Sequence, residues 1–134
     1  MQRLANISYG PHGRFNTLDV YIPDSGNIKG VLLYVHGGAF RFGSKNLYFA
    51  VAQHYANEGY LTFNINYRLT QFPQPLIDVF RAYEWVVTNC ARYGGSSSKI
   101  ILAGDSAGGN LCLATLVAMH YNRREGWVPS LWGP

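Results

Sequence analysis

Ile100-Ile101-Leu102-Ala103-Gly104-Asp105-Ser106-Ala107-Gly108-Gly109-Asn110-Leu111 decides how the remaining residues are read. An apolar strand runs into a sharp turn, and an amphipathic helix opens directly after it. The turn holds Gly104-x-Ser106-x-Gly108, the G-x-S-x-G spacing of a nucleophile elbow. A serine in so tight a turn sits in a strained backbone conformation, and a side chain two residues to either side collides with the backbone. Glycine at both places removes that collision. Ser106 is then expected at the end of a sheet, with a helix N-terminus behind it that favours negative charge. By chance the spacing arises in roughly one chain of this length in twenty. A second feature is therefore needed to separate it from an ordinary strand-to-helix turn.

That feature lies upstream. Gly30-Val31-Leu32-Leu33-Tyr34-Val35 is a continuous apolar run, as in a central strand covered on both faces, and it opens into His36-Gly37-Gly38-Ala39-Phe40. Glycines after such a strand let backbone N–H groups turn into a site, which is what an oxyanion hole requires; an ordinary turn is the alternative. Residues 45–58 read as a helix closed by Gly59, 60–67 as a strand, 75–93 as a helix, 99–104 as a strand and 107–122 as the last helix. Residues 4–9 and 17–22 read as two shorter strands, the second near a sheet edge. From residue 30 onward the order is β-α-β-α-β-α, so right-handed crossovers give a parallel-rich sheet with helices on both faces. Ligands gather at the carboxyl ends of such strands. His36-Gly37-Gly38 and Ser106 both fall there.

Composition narrows the classes. Among 134 residues, 48% are hydrophobic and 13% charged, which suits one globular domain and argues against disorder. The formal charge of +4 is scattered, with only Arg123-Arg124 adjacent, so no nucleic-acid partner is expected. Cys90 and Cys112 lack metal-ligand spacing and are expected as buried, reduced thiols; neither a metal nor a cofactor is implied. Neither a signal peptide nor a membrane span is recognisable, and a cytoplasmic location is the expectation. His12 is expected to be exposed in a turn, and His54 partly buried on its helix.

His36-Gly37-Gly38-Ala39-Phe40, Tyr67-Arg68-Leu69, Phe72-Pro73 followed by Asp78, and Gly104-Asp105-Ser106-Ala107-Gly108-Gly109-Asn110 stand in an order that resembles the hormone-sensitive-lipase-like esterases of the α/β-hydrolase superfamily. The likeness covers residues 18–121. It implies an α/β fold, a small-molecule ester substrate, Ser106 as nucleophile, and an oxyanion hole from the N–H groups of Gly37, Gly38, Ala39 and Ala107. His36, Gly104, Asp105, Gly108 and Gly109 would support the motifs. Asp105 is expected to turn away from Ser106 into a structural hydrogen bond, and Arg68 to pair with Asp78. Phe40, Phe42 and Phe72 would lend the site an apolar character.

The departures are as informative. Ala39 replaces the family's third glycine, and the loop after Leu69 is short. The resemblance places the acid and histidine of the triad on later strands, and His120 is the only histidine after Ser106. Fourteen helical residues separate the two, about 21 Å of rise, against a hydrogen-bond reach of about 3 Å. Residues 1–134 therefore read as the N-terminal part of a single α/β-hydrolase domain, truncated before the acid and histidine, with its C-terminal strands absent and its turnover impaired. A ligand-binding module without turnover and an assembly fragment are the alternatives, the latter associating with itself through an exposed sheet edge.

Overall fold

Val31, Leu33 and Val35 alternate with Leu32 and Tyr34 along β3 (Gly30–Val35), and all five are buried, so this strand is apolar on both faces. A strand of that kind needs a strand on each side and a layer above and below. The computed structural model, which describes residues 1–24 and 26–125 with the side chains of 121–125 left aside, supplies them. The tail 126–134 and the side chains of Arg123-Arg124 lie outside the described residues. β1 (Gln2–Ser8), β2 (Thr17–Ile22), β3, β4 (Tyr60–Ile65) and β5 (Ile100–Gly104) form one sheet in the order β1-β2-β4-β3-β5. β3 runs parallel to β4 and β5, whereas β1, β2 and β4 pair antiparallel in turn. The sheet is thus mixed. The parallel order expected from residue 30 onward is what the structure has, and β2 sits one place in from the edge.

Alternation along the strands sorts two unlike faces. Leu18, Val20, Val31, Leu33, Leu61, Phe63 and Ile65 join the main core with Leu76, Val79, Val86, Leu111 and Cys112, which belong to α2 (Gln74–Asn89) and α3 (Ala107–Glu125). The opposite face carries Asp19, Tyr21, Thr62 and Asn64, and Tyr21 packs there with Ala52 and Ala56 of α1 (Phe49–Asn57). Helices therefore cover both faces. One face is apolar inside, the other polar.

The polar face is organised by a buried ion pair that the sequence patterning did not reveal. Asp19, 0% exposed, accepts from Lys45 Nζ at 2.8 Å, from Arg3 Nη2 at 2.7 Å and from the Asn6 amide at 2.9 Å; Lys45 itself is 2% exposed. Burial pushes the Asp19 carboxyl up, but these three donors outweigh it and hold it below its ordinary value. Lys45 opens a short 3₁₀ turn, Lys45–Tyr48, so the helix expected over 45–58 is this turn followed by α1. The helix expected over 75–93 likewise ends in a 3₁₀ turn, Cys90–Tyr93. His54 lies on the exposed face of α1 rather than partly buried, and His12 is half-buried rather than open.

Candidate active site

In the parallel pairing of β3 with β5, Val35 stands opposite Gly104. The chain leaving β3 as His36-Gly37-Gly38-Ala39 and the chain leaving β5 as Asp105-Ser106 therefore emerge side by side at one rim. They are joined there. The Gly37 amide donates to Asp105 Oδ1 at 3.0 Å, and Tyr34 Oη donates to the same oxygen at 3.0 Å. Tyr48, from the 3₁₀ turn, donates to Asp105 Oδ2 at 3.0 Å. Asp105 thus turns onto the neighbouring loop, and burial together with its charge raises the Tyr34 phenol well above its ordinary value and the Tyr48 phenol above its own. Neither tyrosine was singled out from sequence. Each reaches Asp105 only through tertiary placement, and no spacing rule announces such a contact.

Ser106 is exposed and holds φ at +50°, the left-handed region that a non-glycine residue enters at a cost of about 1–3 kcal/mol. The expected strain is present, and so is the expected backbone collision that glycine avoids on either side of it. A Cβ on Gly108 would stand 1.9 Å from the Val35 carbonyl oxygen, and one on Gly104 would stand 2.5 Å from the same atom. What glycine permits here is the close approach of the elbow to the end of β3. Gly109 is less constrained, since its Cβ would meet Gly104 O at 3.3 Å. The first turn of α3 closes with Gly108 N–H on Asp105 O at 2.8 Å and Asn110 N–H on Ser106 O at 3.0 Å. Ala107, buried between them, begins the helix.

The 37–42 loop bends as tightly. Gly38, Ala39 and Phe40 all have positive φ, at +132°, +55° and +62°, and the Arg41 and Phe42 amides both donate to Gly38 O. The Gly37 amide is occupied by Asp105 and the Arg41 and Phe42 amides by Gly38 O, which leaves Gly38 and Ala39 as the loop amides not so engaged. His36 is 1% exposed, donates from Nδ1 to Gly37 O at 2.6 Å and stacks on Tyr67 at a centroid distance of 4.4 Å. Burial depresses its pKa, against the opposing pull of Gly37 O and Asp105. It therefore braces the loop, while Tyr67 Oη donates to His36 O at 2.8 Å.

A cavity of about 520 Å³ adjoins this rim, lined by the loop from Ala39 to Arg41, residues 69–72 and the first two turns of α3. Phe40 and Phe72 line it; Phe42 does not, and its ring is 68% exposed. Arg68 ties the cavity's second wall to α2 through Asp78 at 2.9 Å, as expected. Cys90 and Cys112 are buried, unpaired thiols, with Cys112 pushed up to about 11 by burial. Among the described residues no helix is long and apolar enough to cross a membrane.

Residues 18–128 match the family model described as BD-FAE. The chain is 37% identical over 113 residues to the probable carboxylic ester hydrolase LipM of Mycobacterium tuberculosis, covering 79% of this chain and 26% of LipM. It is 37% identical over 89 residues to mouse hormone-sensitive lipase, covering 63% of this chain and 12% of that protein. Among solved structures, the hyperthermophilic esterase of Pyrobaculum calidifontis superposes with a TM-score of 0.80 at 33% identity, over 91% of this chain and 41% of that one. The chain thus spans about a quarter or less of these curated relatives' length.

Proposed function

The chain belongs to the BD-FAE family, with hormone-sensitive-lipase-like relatives, and from that footing we propose that it bears the nucleophile and oxyanion hole of a serine carboxylic-ester hydrolase. The observation that carries this reading is the joint at the sheet rim, where the Gly37 amide meets the Asp105 carboxylate one residue before Ser106. Through it, the strained serine and the loop amides share one corner of the fold. Ser106 Oγ attacks the ester carbonyl, and the Gly38, Ala39 and Ala107 N–H groups receive the developing oxyanion. Each such donor is worth about 2.7–4 kcal/mol of transition-state stabilisation in enzymes of this chemistry.

Among the described residues neither His36 nor His120 is placed to act as the general base. His36 holds its Nδ1 proton on Gly37 O, and His120 lies far along α3. The relatives' greater length leaves room for that base and its acid. Residues 1–134 alone are accordingly expected to turn over slowly. The test is reaction of the full-length protein with a serine-directed fluorophosphonate and with p-nitrophenyl butyrate. Labelling and hydrolysis that vanish together in Ser106→Ala support the reading. Hydrolysis that survives the substitution rejects it, and tight ester binding without turnover favours a ligand-binding module instead.

A further inference from the structure

Resting on the ester-hydrolase reading, we infer that the cavity beside the elbow selects esters carrying an anionic group, and that Arg41 is the residue that reads the charge. The cavity's volume of about 520 Å³ falls within the ~300–1,000 Å³ of small-molecule sites. Phe40, Leu69, Leu111 and Ala114 give it apolar walls, while among the described residues Arg41 is the sole charged side chain lining it. Among the described residues no carboxylate lines the cavity with Arg41. Asp105, the acid of the elbow, points to Tyr34, Tyr48 and Gly37, and Asp78 is engaged by Arg68. Among the described residues the Arg41 guanidinium has no ion-pair partner, in contrast to Arg3, Arg68 and Arg81.

Position makes that charge matter. Arg41 follows the oxyanion-hole loop directly, and its amide is fixed on Gly38 O at 3.0 Å, so its backbone keeps one place relative to the candidate reacting centre. A substrate seated between Phe40 and Leu111 with its carbonyl at the loop directs a further group along the cavity, where a guanidinium fits a carboxylate or phosphate in a two-pronged contact. A purely aliphatic ester would fill the walls and leave Arg41 without a partner. Apolar walls around a single positive charge also focus its field and raise the local concentration of anionic substrate. Because Arg41 is exposed, the preference is modest, about two- to fivefold.

The test uses the full-length protein and two matched ester pairs. In one pair the acyl part ends in a carboxylate or in its neutral amide; in the other the leaving phenol carries the carboxylate or the amide. Arg41→Gln should lower the anionic-to-neutral ratio of kcat/KM by about two- to fivefold in one pair, mainly through KM, and Arg41→Lys should restore most of it. The pair that responds identifies which side of the ester occupies the cavity. Raising the salt to about 0.5 M should erode the wild-type ratio in the same pair. A ratio unchanged by Arg41→Gln in both pairs overturns the inference while leaving ester hydrolysis standing. Failure of the wild type to hydrolyse all four esters overturns both.

Discussion

At the β1 end of the sheet a carboxylate with no solvent exposure is clamped by a buried lysine, an arginine and an amide, and the outer strand is broken by an irregularity between Leu4 and Ile7. At the β5 end the outermost strand hydrogen-bonds a neighbour on one side alone among the described residues, Ile101 is 36% exposed, and α3 turns Leu113, Leu116 and Val117 to solvent. One end is blunted by charge and irregular pairing, as sheet edges commonly are. The other keeps a flat apolar face. The candidate chemistry sits at the second end, where Gly104, Asp105 and Ser106 leave β5. The difference teaches that the fold anchors itself at one end and carries the candidate reactive corner at the other.

The comparison is tested most severely at the anchored end. Asp19→Ala removes the partner of Lys45 and leaves a buried ammonium uncompensated, a loss of about 3–5 kcal/mol. Urea denaturation would measure it. Replacing the pair together, Asp19→Leu with Lys45→Met, should recover most of the loss, because the desolvation cost of both charges then disappears. Equal stability of the single and double variants would show that the pair does not anchor this end.

At the reactive end the largest effect comes from Gly108→Ala, whose Cβ would sit 1.9 Å from Val35 O. Overpacking against backbone of this kind is expected to destabilise by about 2–3 kcal/mol and to abolish fluorophosphonate labelling of Ser106. Gly109→Ala, with its nearest contact at 3.3 Å, is the control and should lose far less. Next in size, Asp105→Ala strands the Tyr34 and Tyr48 hydroxyls and the Gly37 amide, at about 1–3 kcal/mol, and should slow labelling as the loop loosens. Asp105→Asn, which keeps an acceptor for Gly37, should label faster than Asp105→Ala. Identical labelling rates would separate the loop's geometry from this carboxyl group.

How much of this was readable beforehand follows from where the signals are local. The apolar runs of β3 and β5, the glycines around Ser106 and the His36-Gly37-Gly38 corner are short stretches whose patterns name their structures, and the parallel sheet brings the two corners together. Lys45 looked like any scattered surface lysine, because its partner lies on β2 and only the folded sheet reveals the pairing. The Tyr34–Asp105–Tyr48 contacts were hidden for the same reason. Gly37 shows the limit from another side: sequence supplied a loop of candidate donors, but only geometry shows that its amide is already occupied.

A smaller effect distinguishes the two ends by pH. The His36 pKa is depressed by burial, so the folded state resists protonation that the unfolded chain accepts near pH 6.5. This stability is intact above about pH 6.5 and is lost as the pH falls from there toward the folded pKa. Asp19, also depressed, adds its loss at lower pH, on falling through the carboxylate range. Thermal melts should therefore show two acid-side declines, and His36→Gln should remove the upper one alone. A single decline unaffected by that substitution would detach His36 from acid stability.

The smallest expected change in stability carries the most information about the open end. Leu113, Leu116 and Val117 recur at i, i+3 and i+4 on α3, the spacing of a helix face that ordinarily packs against something. We propose that a second copy covers it when residues 1–134 are studied on their own, since pairing through β5 would satisfy strand edge and helix stripe together. Leu113→Ser combined with Leu116→Ser should leave folding stability within about 0.5 kcal/mol, because exposed side chains contribute little, yet shift sedimentation from dimer to monomer. The paired control belongs at the other edge: Arg3→Ser should leave the association state unchanged, whatever it does to stability through Asp19. Association that follows Arg3 instead of the leucines would assign the sticky edge to the charged end and reverse the contrast drawn between them.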